Sequence, residues 1–118
     1  LGRVALDQNK IKQAIEYFNR VLAVDPARTN VRAAIGDAQM KVDDWSNAIA
    51  SYSQVIEVEP TNKDFLYVYA RLGTAHQEKG NINEAIRWYT KTIEVDPSNS
   101  EVYRALGYLQ KDKKKGGR

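Results

Sequence analysis

Apolar residues recur along this chain at every third or fourth position, in short runs separated by turn chemistry. Val31, Ile35, Ala38 and Val42 keep that spacing, Asp43 and Asp44 interrupt it, and Trp45, Ala48, Ile49, Tyr52, Val55 and Ile56 resume it. Apolar positions three and four apart line one face of an α-helix, so the stretch reads as helix, turn, helix. The same text then returns. Gly2, Gly36, Gly73 and Gly107 are spaced 34, 37 and 34 apart, and Pro26, Pro60 and Pro97 follow at 34 and 37. Before each proline stands Val24-Asp25, Val58-Glu59 or Val95-Asp96, preceded in matching frames by Ala14-Ile15, Ala48-Ile49 and Ala85-Ile86. A period of this length marks a stacked array, because one helix pair cannot bury its apolar side alone and must lean on its neighbours. The frames divide the chain into a partial first repeat over 1–28, a second over 29–65, a third over 66–99 and a C-terminal capping helix over 100–112, with seven helices in all.

Local chemistry supports the division. The break inside each pair carries Asn9, Asp43 or Gly80, residues that tolerate a left-handed backbone at a helix end. Thr61 with Asp64, Asn81 with Glu84 and Ser98 with Glu101 place a capping side chain three residues before a carboxylate, which predicts helix starts. Gly36, Gly73 and Gly107 fall within helices, where glycine costs about 1 kcal/mol against alanine. Their recurrence predicts close helix approach. Ala14, Ala48 and Ala85 serve the same end on the second helices, and Phe18, Tyr52 and Tyr89 supply the bulk that small residues receive.

The third frame reads Tyr69-x-x-Leu72-Gly73-x-x-His76, then Ala85-x-x-x-Tyr89, then Pro97, and in this it resembles the tetratricopeptide repeat. The second frame agrees through Ile35-Gly36, Ala48, Tyr52 and Pro60, the first through Leu1-Gly2, Ala14, Phe18 and Pro26, and the fourth through Tyr103, Leu106 and Gly107. There are departures. Arg32 stands where the pattern has an aromatic residue, Ala5, Gln39, His76 and Gln110 where it has tyrosine, and Lys63 to Phe65 form a three-residue insertion expected to bend the array locally. The resemblance implies an all-α, right-handed solenoid of antiparallel helix pairs whose first helices line a concave groove, and it implies a scaffold or adaptor that binds a peptide segment of a partner there.

Carried over frame by frame, the groove positions are Arg3 and Asp7; Asn30, Ala33, Asp37, Met40 and Lys41; Tyr67, Ala70, Arg71, Thr74, Gln77 and Glu78; and Arg104, Tyr108 and Lys111. Arg3, Arg71 and Arg104 offer planar forks to a carboxylate, while Tyr67 and Tyr108 offer stiff apolar contact with a polar tip. Met40 and Ala70 leave room for an apolar anchor between the charges. An acidic or C-terminal carboxylate segment suits this set. The competing reading is that these charges solvate the face or pair internally, Asp37 with Arg71. The chaperone carboxylate clamp is a different pattern: Arg3 and Ala34 stand where it has asparagine and Tyr67 where it has lysine, with Arg71 alone matching.

Composition narrows the alternatives. The chain has 118 residues, 42% hydrophobic and 28% charged, which suits a single globular unit. It has no cysteine and one histidine, which leaves no disulfide framework and no histidine-built metal site. Of the net charge of +3, the segment Lys111 to Arg118 carries five basic residues and one acidic, leaving 13 basic against 14 acidic elsewhere. The body is near neutral, so a nucleic-acid partner is not expected. His76 sits at a packing position without a triad, no serine has a glycine-flanked elbow, and the glycines do not cluster into a phosphate loop. Hence neither enzyme activity, metal nor cofactor is expected. Trp45 and Trp88 read as packing residues. Residues 113–118 read as a frayed basic tail, with contact to nucleic acid or a membrane surface as its alternative role. The chain begins within a first helix and lacks an initiating methionine, so a piece of a larger protein is expected, cytoplasmic in the absence of any export or membrane signal. End-to-end stacking into homo-oligomers is the further alternative.

Overall fold

Left-handed residues close the first helix of both complete pairs, as the sequence requires. Asp43 has φ 59° and Gly80 φ 84°. At the first, the amides of Asp43 and Asp44 donate to the carbonyls of Met40 and Gln39; at the second, Gly80 and Asn81 donate to Gln77 and His76. This pairing of the last helical carbonyls is the Schellman arrangement, and it turns the chain so that the second helix runs back along the first.

The computed structural model describes the backbone from Gly2 to Gly116 and the side chains from Gln8 to Lys111. Six α-helices follow one another: α1 Gly2–Val24, α2 Thr29–Lys41, α3 Trp45–Val58, α4 Tyr67–Glu78, α5 Ile82–Val95 and α6 Ser100–Gly116. No strand occurs among the described residues. Each helix packs chiefly on the next in sequence, the nearest-neighbour order of a solenoid. A closed globule of this length has a radius of gyration of about 13.5 Å; the observed 15.6 Å, with extents of 48 × 38 × 22 Å, belongs to an open slab.

The count differs from the seven helices expected. Asn9 lies inside α1, which runs unbroken through the place of the first turn. The second helices α3 and α5 begin after Asp44 and Asn81, whereas the matching position in the first frame is Lys10. Neither Asp44 nor Asn81 makes a side-chain cap bond, so the lost turn does not trace to a missing cap acceptor at Lys10. The caps also moved. Asn62, not Thr61, accepts from the Asp64 amide at 2.9 Å, and Asn99, not Ser98, accepts from the Val102 amide at 3.2 Å. Asn81 makes no side-chain cap bond. The insertion folds as a single 3-10 turn, Lys63–Phe65, with Phe65 packed against the core. α6 continues past the expected end at 112 to Gly116, in keeping with the helix propensity of its lysines. The side chains of the basic tail lie outside the described residues.

The core is built from the repeated small and large residues. Ala33, Ala48, Tyr52, Val55, Val68 and Leu72 form one cluster, and Ala85, Tyr89, Val102, Leu106 and Leu109 the next. Between α2 and α3 the Tyr52 ring lies over Gly36 so closely that a Cβ there would fall 2.6 Å from it; Tyr89 covers Gly73 at the same 2.6 Å. The pattern's missing aromatic is also accounted for. Tyr69 donates its hydroxyl to the Pro60 carbonyl at 2.7 Å, and Arg32, one frame earlier, donates to the Pro26 carbonyl at 3.0 Å. Arginine thus keeps the tie to the preceding loop without the ring.

Overpacking a filled site costs about 1–3 kcal/mol, more than the ~1 kcal/mol of helix propensity that alanine gains over glycine. Gly36→Ala and Gly73→Ala are therefore expected to lower stability in chemical denaturation, by up to about 2 kcal/mol as the net of these two effects.

Candidate functional site

α3 packs against both first helices, α2 and α4, and Tyr67 at the start of α4 reaches Asp37 on α2. Positions 37, 40 and 41 on α2 and 71 and 74 on α4 share the open side at helical spacing. They surround a cavity of ≈ 330 Å³ lined by Asp37, Met40, Lys41, Trp45, Tyr52, Arg71 and Thr74. Five of these were expected from the sequence. Trp45 and Tyr52 were not, having been read as packing residues alone. Trp45 is the first residue of α3, and the tight turn after Lys41 brings it round to the rim. Tyr52 reaches the cavity because its ring lies on bare Gly36, which a reading of the first helices alone does not reveal.

Asp37 is held by two hydroxyls. Tyr52 donates to its Oδ1 at 2.5 Å, and Tyr67, from the next repeat, lies 3.0 Å from Oδ2 and 3.2 Å from Oδ1. The two rings meet edge to face at 6.5 Å. Burial, followed by the Asp37 hydrogen bond, raises the Tyr52 pKa above its ordinary value. Burial, followed by the nearby Asp37 charge, raises that of Tyr67. The internal pair of the competing reading, Asp37 with Arg71, is absent: the ion pairs among the described residues are Arg28 with Asp25 and Arg87 with Glu84. Tyrosine hydroxyls occupy the carboxylate instead. Exposed Arg71 and Lys41 therefore stand at the cavity without an ion-pair partner among the described residues.

The other expected groove residues separate. Ala33 is buried in the core, and Ala70 packs against the second cluster. Gln77 accepts the Tyr89 hydroxyl at 2.9 Å, with Thr74 Oγ1 3.1 Å from the same oxygen. Tyr67 stands beside the cavity as a strut. Arg104 and Tyr108 are exposed on α6, Tyr108 at 69%, and line none of the cavities that include Asp37 or Arg71. Arg3 lies outside the described side chains. His76 is half-buried near the end of α4, where burial lowers its pKa. Among the described residues no three histidine, cysteine or acidic side chains gather as a metal site, and no helix is long and apolar enough to cross a membrane.

An open stack of antiparallel helix pairs with a polar, varied inner wall defines a helical-repeat interaction module. The chain belongs to the tetratricopeptide repeat family: it matches the family's repeat models over residues 5–72 and again over 73–114. No match is found among curated protein sequences. Among solved structures, a crystal structure of MamA superposes with a TM-score of 0.81 at 24% identity, covering 96% of this chain and 64% of that one. The Arabidopsis OM64 TPR domain gives 0.77 at 18% identity, covering 93% and 88% respectively. The first TPR of Spaghetti (RPAP3), bound to the HSP90 peptide SRMEEVD, gives 0.76 at 20% identity, covering 94% and 86%. This chain thus spans just under two thirds of the MamA chain. Proteins of this family are in general non-enzymatic interaction scaffolds, and the chain is a protein-interaction module.

Folding raises the Tyr52 and Tyr67 pKa values, so the neutral hydroxyls favour the folded state. Their contribution is fully present below the unfolded tyrosine value of about 10 and is lost as pH rises above it. Denaturant midpoints are expected to fall above that pH, and to fall less steeply in Tyr52→Phe and Tyr67→Phe.

Proposed function

We propose that the concave groove binds a peptide segment of a partner protein, and that the cavity between α2, α3 and α4 seats an acidic side chain or a C-terminal carboxylate beside an apolar residue. The observation that carries this reading is the charge state of the cavity wall. Asp37 is engaged by Tyr52 and Tyr67, while Lys41 and Arg71 line the same space and make no ion pair with a carboxylate among the described residues. An arginine fork favours a carboxylate geometrically as well as electrostatically. Met40 and the Trp45 ring add an apolar wall, and rigid aromatic surface of this kind carries much of the energy of peptide interfaces.

The residues that depart from the chaperone clamp pattern argue for a different carboxylate partner from the chaperone tail. Of the clamp positions weighed, Arg71 alone is kept, and Tyr67 spends its hydroxyl on Asp37 where a lysine would present a charge.

Peptides selected from a random display library against the chain are expected to carry an aspartate, glutamate or free C-terminus next to an apolar residue. Arg71→Glu combined with Lys41→Glu, both at exposed positions, is expected to weaken them at least about tenfold in fluorescence anisotropy, consistent with the cost of removing charge-assisted bonds. Deletion of 113–118 is expected to leave affinity unchanged. Acid-free selected peptides, or binding indifferent to both charge reversals, would contradict the assignment.

A further inference from the structure

The scaffold that frames the cavity returns one frame later with different chemistry. A shift of 37 residues carries Gly36 to Gly73 and Tyr52 to Tyr89, and a Cβ on either glycine would fall 2.6 Å from its ring. On that shared frame Lys41 becomes Glu78, Met40 becomes Gln77 and Asp37 becomes Thr74. The step from α4 to α6 is 34 residues, Gly73 to Gly107, and it carries Arg71 to Ala105. Both cations of the first cavity are thus missing from its counterpart, and a carboxylate stands in place of one of them.

Hydrogen bonding at the counterpart leaves acceptors unused. Thr74 donates its one hydroxyl proton to the Ala70 carbonyl at 3.1 Å, and Tyr89 donates its own to Gln77 Oε1 at 2.9 Å. Both protons are committed, whereas Thr74 Oγ1 and Gln77 Oε1 keep lone pairs. Burial is the first cause of the raised Tyr89 pKa, the Thr74 hydrogen bond opposes it, and the charge of Glu78 adds to it, so that carboxylate lies near the same hydroxyl. Glu78 is exposed and makes no ion pair among the described residues. Thr74 also lines the first cavity, which makes the two regions contiguous. α4 packs between α3 and α5, and α5 between α4 and α6, so these side chains belong to the interior of the stack and not to either end.

We propose that Thr74, Gln77 and Glu78, with the Tyr89 hydroxyl behind them, form a second seat that takes a lysine or arginine side chain of the bound segment. The second seat rests on the reading of the first cavity as the place of that segment's acidic group. Lys41 and Arg71 then supply donors in the first seat, and Glu78, Gln77 and Thr74 supply acceptors in the second. The segment is recognised by the order of its charges as well as by their presence. Arg71, Thr74 and Glu78 follow one another at i, i+3 and i+7 on one face of α4. Two helical turns separate Arg71 from Glu78, about 10 Å along the axis, a distance that about three residues of extended chain span. A basic residue at that remove from the acid therefore reaches Glu78. Opposite charges at a fixed spacing also reject a polyacidic segment, because its next carboxylate meets Glu78.

A random peptide display library sorted separately on the unaltered chain and on Glu78→Lys tests the second seat. Position 78 is the last residue of α4, where a cation suits the helix dipole, so circular dichroism is expected to show the variant folded. On the unaltered chain the selected peptides are expected to carry lysine or arginine about three residues from the acid, on one side only. On Glu78→Lys the acid is expected to stay and the basic preference to be lost. Changing that lysine to glutamate in a synthetic selected peptide is expected to weaken binding to the unaltered chain about fivefold in fluorescence anisotropy, the scale of an exposed ion pair, and to tighten binding to Glu78→Lys. Selected peptides with the acid but no basic residue at a fixed distance, or a basic preference unchanged by Glu78→Lys, would overturn the second seat and leave the first standing. Selected peptides without any acid would overturn both.

Discussion

The interleaving of a tyrosine ring with a bare glycine sets the geometry of the whole molecule. A glycine within a helix sacrifices about 1 kcal/mol of helix propensity, whereas burying an aromatic side chain returns about 2–3 kcal/mol, so the exchange favours close approach. Gly36 under Tyr52 and Gly73 under Tyr89 draw the paired helices together, and the alanines at 48 and 85, fully buried on the same face, keep them there. Each pair is thereby held as a unit, and the remaining apolar residues, Val55, Val68 and Leu72 foremost, join one unit to the next.

The same rings join packing to the cavity wall. Tyr52 lies on Gly36, and its hydroxyl then emerges on the inner side at Asp37; Tyr89 lies on Gly73, and its hydroxyl emerges at Gln77. A polar group is thus presented to a first-helix side chain by a residue whose ring belongs to the core. In the second repeat that group meets a carboxylate, which Tyr67 also engages from the following repeat. Arg71 and Lys41 make no ion pair among the described residues.

The fold was legible because its signals repeat. Glycine, alanine, aromatic and proline positions return in three frames, and the turns at Asp43 and Gly80 adopt the backbone their residue types favour. The first turn does not form: α1 runs unbroken through Asn9 and Lys10, although asparagine is a residue type that tolerates the left-handed turn found at Asp43 and Gly80. Capping at Asn62 and Asn99 was missed by one residue each, since two adjacent polar residues leave the sequence ambiguous about which one turns inward. The cavity was half legible. Helical spacing placed Asp37, Met40, Lys41, Arg71 and Thr74 together, but pairing partners depend on reach across repeats, and Tyr67 arrives at Asp37 before Arg71 does. Trp45 and Tyr52 were hidden because packing and lining are one role here.

The central claim, that ring and glycine are energetically one feature, is tested most directly by a double-mutant cycle on Gly36→Ala and Tyr52→Leu followed by chemical denaturation. With the ring removed, the added methyl has space, so Gly36→Ala is expected to turn from destabilising to stabilising, with a coupling of about 1–3 kcal/mol between the two sites. Additive effects, with alanine equally costly in both backgrounds, would show that the glycine serves some purpose other than receiving the tyrosine.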